Sequence, residues 1–311
     1  PPAAPGVVAL TYGGDLRALL GLRAATSASL VRWFDVPRPR ALLGDAQLRE
    51  AVALAQAALR LHPPGAFQTL YLSAAGADTS VMARLKQELA ARLGLRVGDE
   101  DGDLLLRLRR GPGGAGWELL ARLSPRPLAT RAWRVCNLAG ALSGPVAHAM
   151  AALSQPSAGD VFLNIACGSG TLLVERLLIG PARRAIGCDT SAEALACAAA
   201  NVAAAGLKGR CELADWDARA LPLPDASVDA IVGDLPFGHL VGSHEENLAL
   251  YPALLAEAAR VARPGARCAL LSHEVRLMER LLAESPAWRL EEALRVDLGG
   301  LHPRIFLLRR R

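Results

Sequence analysis

The order of apolar and polar positions divides the chain near residue 125. Before that point, Ala46–Leu61 places Leu48, Val52, Leu54, Ala55, Ala58 and Leu59 mostly on one face, which predicts a helix. Pro37 and Pro39 break the segment ahead of it, and the rest of residues 1–62 carries little periodic signal. Residues 67–72 read as a short strand. Residues 79–93 form an amphipathic helix, with a cap at Asp78 or Thr79 and Gly94 as its stop. Residues 103–109 and 116–123 read as two strands around a glycine-rich hairpin, Gly111 to Gly114. This order describes a small α+β unit and not half of a nucleotide-binding fold.

After the Ser124-Pro125-Arg126-Pro127 break, a connector leads to a helix near 144–153, and the rhythm then changes. Strands are predicted at 160–165, 184–188, 210–213, 228–233, 266–272, 293–297 and 304–309. Helices are predicted at 170–178, 191–205, 247–262 and 274–283. Alternation of this kind predicts an α/β domain with a mostly parallel, doubly wound, Rossmann-like sheet.

Composition narrows the class. The 311 residues suffice for about two domains, and no continuous apolar run has the length of a membrane-spanning helix. The start lacks a basic region ahead of an apolar stretch, so no signal peptide is expected, and the absence of an initial Met reads as truncation or processing. None of Cys136, Cys167, Cys188, Cys197, Cys211 and Cys268 forms a CxxC pair, so no metal is expected. Buried reduced thiols and a cytoplasmic location are the expectation. The net charge of +5 is carried almost wholly by arginine, since Lys occurs only at Lys86 and Lys208. Arginine suits phosphate forks and base stacking, although genomic base bias explains such a composition equally well.

The candidate chemistry lies at the ends of predicted strands. In NIACGSGT, Gly168 and Gly170 allow a tight turn and close ligand approach. Asp189 closes the next strand, 19 residues after Gly170, where an acid can hold both hydroxyls of a ribose. Asp217 follows the third strand beside Trp216, with an acceptor for an adenine amine and a cover for its ring. Leu173 occupies the third glycine position of a dinucleotide fingerprint, which disfavours a dehydrogenase. Asp234-Leu235-Pro236-Phe237 then ends a later strand. Asp234 and the Leu235 carbonyl offer two acceptors to an aromatic amine, Pro236 stiffens the backbone and Phe237 can stack on a base. Base methylation at carbon would need a cysteine nucleophile, and Phe237 stands where a Pro-Cys step would place it. His239, His244 and His273 show no metal spacing. The expected reaction is S-adenosyl-L-methionine-dependent methylation of an exocyclic amine.

The succession SPRPLATRAWR, NIACGSGT, GDLPFG, LYPALLAEAARVARPG and GGLHPRIFLL resembles the THUMP-domain RNA methyltransferases, most of all the branch acting on guanine N2 in tRNA. The resemblance implies a C-terminal Rossmann-like doubly wound methyltransferase domain over 156–311, preceded by a small α+β THUMP-like RNA-binding domain over 63–125. Residues 126–155 would be linker and helix, and 1–62 a partial or trimmed ferredoxin-like region. Carried over by motif, Asn164, Ala166, Gly168, Gly170, Asp189 and Asp217 would hold the cofactor, and Asp234 to Phe237 the guanine. Arg126, Arg131, Arg134, His302 and Arg304 would meet the tRNA, with Pro303 in the same loop. Relatives often carry Asp where this chain has Asn164. A monomer is favoured. Ribosomal RNA, a protein amide and a non-catalytic RNA-binding role are the alternatives.

Overall fold

A computed structural model describes residues 6–98, 102–236 and 244–311. They form two compact units, 1–129 and 130–311. In the first, β1 (Ser29–Phe34), α1 (Asp45–Leu59), β2 (Thr69–Ala74), α2 (Ser80–Leu93), β3 (Arg96–Val97), β4 (Leu104–Arg110) and β5 (Trp117–Arg122) follow in order. The sheet order is β1-β5-β4-β2-β3. One sheet face and both helices enclose a core that includes Leu48, Leu70, Leu85, Leu89, Leu104 and Leu119. The boundaries of α2 are local chemistry: the Thr79 hydroxyl accepts from the Met82 amide, and Gly94 adopts φ +68° at the other end. Helix α1 stands where Ala46–Leu61 predicted one, and β1, which the sequence did not predict, adds a strand to this same sheet and core.

The second unit begins with α3 (Gly144–Leu153) and β6 (Val161–Ile165). It continues through α4 (Thr171–Ile179), β7 (Arg184–Asp189), α5 (Ala192–Ala204), β8 (Glu212–Asp215) and β9 (Val228–Asp234). It ends with α6 (His244–Val261), β10 (Ala262–Ser272), α7 (Val275–Ala283), β11 (Trp288–Arg295) and β12 (Arg304–Arg310). The seven strands lie in the order β11-β12-β10-β9-β6-β7-β8. Strands β8, β7, β6, β9 and β10 run parallel, and β12 is antiparallel to both its neighbours. All five residues of β6 are buried, as a central strand covered on both faces requires. The chain winds one way from β6 to β8 and the other way from β9 onward. The β6–β9 border is therefore the switch point, where ligands bind beyond the strands' carboxyl ends.

Beneath the sheet's amino edge, Arg176 is wholly buried and paired with Asp160 at 3.2 Å, and Arg267 reaches the other oxygen of the same carboxylate. Not all six cysteines are free thiols as expected. Cys136 and Cys197 are joined by a disulfide. Cys167, Cys188 and Cys268 are free and buried, and Cys211 is free and half-buried. The cytoplasmic reading thus loses the support it drew from six reduced thiols. Among the described residues, no helix is long and apolar enough to cross a membrane.

Candidate active site

The turn after β6 is built from backbone geometry. Ala166, Gly168 and Gly170 adopt φ of +46°, +53° and +77°. A Cβ at Gly168 would meet nothing within 4 Å, so its requirement is conformational; at Gly170 it would also lie 3.0 Å from the Ala198 Cβ. The Gly168 amide donates to Asp189 Oδ2 at 2.8 Å, and the Ser191 amide donates to Oδ1 at 3.0 Å. One carboxylate at the end of β7 thereby fixes the β6 turn and the start of α5.

The turn after β9 is anchored from the other side. The Leu235 amide donates to the Leu271 carbonyl at 3.0 Å. The fully buried Tyr251 of α6 donates its hydroxyl to the Pro236 carbonyl at 2.7 Å and lies 3.0 Å from Ser272 Oγ. Asp234 keeps partial exposure, but its Oδ1 is buried with no hydrogen-bond partner. Burial pushes its carboxyl up to about 7.

Both turns open on one cavity of about 420 Å³. Ala166, Gly168, Asp189 and Asp217 line it together with Asp234, Leu235 and Pro236. Phe237 lies outside the described residues. Trp216, Leu172, Leu250 and Leu254 give the cavity apolar walls. Cys167 lines it as well, but burial first and Asp189 second push its thiol well up, so it is no thiolate nucleophile.

A further wall, Leu138 to Leu142, has no counterpart in the motifs. It is held by long-range bonds that sequence spacing cannot reveal. The fully buried Asn201 of α5 accepts from the Val135 and Cys136 amides at 2.9 and 3.0 Å. It donates to the carbonyls of Cys136 and Ser169, each at 2.9 Å. Arg134 donates to the Leu142 carbonyl at 2.6 Å and to Thr171 Oγ1 at 2.8 Å. The Cys136–Cys197 bond adds a covalent tie between the same segment and α5.

Several expected site residues stand elsewhere. Asn164 is fully buried within β6, donating to the Ile165 and Val232 carbonyls, and does not line the cavity. Gly170 shapes the turn from behind. Asp217 reaches the cavity, but Arg219 engages both its oxygens, and that bond first of all lowers its pKa. Arg131 is not on a substrate surface: it is buried and bonds Glu175 at 2.7 Å, because an isolated buried charge is too costly. Arg134 is likewise spent on the fold. Arg126 is exposed in the unit 1–129. His302 bonds Asp297, Pro303 is buried, and Arg304 pairs with Glu279 of α7; none of the three lines the cavity.

A seven-stranded sheet with β12 inserted antiparallel between β10 and β11, and a cavity at its switch point, define a methyltransferase-type α/β domain. The crystal structure of TrmN from Thermus thermophilus matches 98% of this chain and 88% of that one, with a TM-score of 0.73 and 27% identity. The family model UPF0020, described as RMKL-like, methyltransferase domain, matches residues 131–304, and the chain belongs to that family. Over 182 residues the chain is 34% identical to the mouse tRNA (guanine(6)-N(2))-methyltransferase THUMP3. Over 148 residues it is 38% identical to the bovine U6 snRNA (guanine-N(2))-methyltransferase THUMPD2. Those stretches are 54% and 48% of this chain but only 36% and 28% of the relatives, so the chain spans about a third of their length.

Proposed function

We propose that the chain transfers a methyl group from S-adenosyl-L-methionine to the exocyclic N2 amine of a guanine in tRNA. The observation that carries this reading is the shared cavity, with the glycine turn of β6 and the Asp234–Pro236 turn on its two sides. The cavity suits the cofactor. Asp189 keeps a free lone pair on each oxygen for ribose hydroxyls, the open space at Gly168 admits close approach, and Trp216 and Leu172 offer apolar faces to adenine. When bound, S-adenosyl-L-methionine supplies an electrophilic methyl on a sulfonium.

Asp234 then has a defined task. Its carboxylate accepts one N–H of the amine, and the Leu235 carbonyl accepts the other, both residues lining the cavity. The nitrogen is held in line with the methyl, and Asp234 takes the proton the nitrogen sheds as its new bond to carbon forms. A base within a duplex cannot enter the cavity, so the guanine must be flipped out. The unit with β1 to β5 fits the THUMP-like RNA-binding role expected of residues 63–125, and Arg126, His302 and Arg304 remain on accessible surfaces for RNA.

Likeness to the bovine U6 snRNA enzyme favours a second RNA class for the same chemistry. Incubation with methyl-labelled cofactor and transcripts of tRNA and U6 snRNA, followed by digestion to nucleosides, distinguishes them. Label in N2-methylguanosine from tRNA is expected; label in another nucleoside overturns the amine assignment. Asp234→Ala should remove activity at least about a hundredfold while cofactor affinity stays within about threefold.

A further inference from the structure

A second cavity, of about 530 Å³, lies between α6 and α7 and is lined by His244, Leu248, His273, Arg276 and Arg280. We propose that it is a phosphate clamp for the RNA backbone beside the target guanine. This rests on the functional reading above and names a part of the substrate that reading leaves unheld.

Its place comes first. Leu271 lies opposite Asp234 in the β9–β10 register, and Tyr251 links the Pro236 carbonyl to Ser272. His273 follows immediately. The clamp therefore starts where the base-holding turn is anchored, one strand spacing of about 4.8 Å away. Helix α6 divides the two cavities: Leu250 and Leu254 face the first, Leu248 the second.

Its charge comes next. Arg276 and Arg280 are one turn apart on α7 and exposed, while Leu277, Met278 and Leu282 of the same helix are buried. Among the described residues neither guanidinium has a hydrogen-bonding or ion-pairing partner. Two like charges at this spacing repel, and Arg276 sits in the first turn, where the helix dipole also disfavours a cation. That turn carries no acidic residue, and the side chain of Glu274 at its cap position makes no hydrogen bond to the helix amides. Without an anion these features oppose one another; a phosphodiester bridging both guanidiniums near the free amides satisfies all of them. The one carboxylate in the cavity, Glu274, is hydrogen-bonded by His244 at 2.9 Å. Leu248, 44% exposed, supplies an apolar surface for the attached sugar.

The test uses the full chain, with a short labelled single-stranded RNA for binding and the methylated RNA as substrate. In R276Q/R280Q, KM for RNA should rise about tenfold, and the slope of log affinity against log salt should fall by up to about two. kcat and cofactor affinity should hold within about twofold. R276K/R280K, which keeps both charges, should restore the slope and separate charge from packing. If R276Q/R280Q keeps the wild-type KM and salt slope while the wild type methylates guanine, the clamp is wrong and the functional reading stands. If the wild type methylates no RNA yet R276Q/R280Q still loses the salt increment in binding, the functional reading is wrong and the clamp stands.

Discussion

In the proposed reaction, Asp234 is the residue on which proton chemistry turns. Its carboxyl, ordinarily near 3.8, is pushed up to about 7 by burial. Only the ionised form has both oxygens free to accept N–H bonds, so kcat/KM for RNA should rise with pH and level off above about 7. A pH profile checks this, and a flat profile across that range would remove Asp234 from the role. Stability runs in the opposite direction. A carboxyl whose folded pKa exceeds its unfolded one favours folding at low pH, and that contribution is lost as pH rises from 3.8 to about 7. One pKa unit is about 1.4 kcal/mol, so the loss is on the order of 4 kcal/mol. Asp234→Asn should therefore be more stable than wild type above pH 7 and lack this decline, as denaturant titrations at several pH values will read. The same burial that poises the acceptor thus makes it a weak point of the fold.

At the scale of elements, the site is two strand-end turns and a strap. Asn201 holds the strap, residues 135–142, against the β6 turn through four bonds of 2.9–3.0 Å. Asn201→Ala leaves the Val135 and Cys136 amides unsatisfied, which costs about 1–3 kcal/mol. Cofactor dissociation constants should rise about tenfold while kcat at saturation changes little; unchanged calorimetric affinity would show that the strap contributes nothing to binding. Much of this architecture was legible in the sequence. The α2 cap and stop, the β6 turn and the acids ending β7 and β9 are local signals, each decided by a few neighbouring residues. Strand β1 escaped because it lacks alternation: Val31 and Trp33 are about half exposed, and its pairing with β5 joins residues 29 and 122. Strand β11 starts at Trp288 and not at 293, because residues 289–292 are exposed and read as polar loop. Asn201 and Leu138 to Leu142 carry no motif, since only the tertiary fold brings them to the cofactor side. Arg131 and Arg134 read as RNA-facing in the sequence because an arginine looks alike whether it faces RNA, a buried glutamate as Arg131 does, or a carbonyl and a hydroxyl as Arg134 does.

At the scale of the whole molecule, each unit has its own core: one set of buried residues runs from Phe34 to Ala121, and the other two begin at Trp133 and Val161. Two transitions are expected on unfolding in denaturant, followed region by region through hydrogen exchange. Saturating cofactor at about a hundred times its dissociation constant should raise only the transition of residues 130–311, by about 2.7 kcal/mol. A single transition that shifts as a whole would show that the chain unfolds as one body. The Cys136–Cys197 bond bears on every such measurement. Protein prepared in air and protein kept in a strong dithiol differ by a pair of hydrogen atoms, and they are two chemical species. Binding constants gathered from the two preparations would describe different molecules under one sequence, and the mass of each intact batch becomes part of its identity.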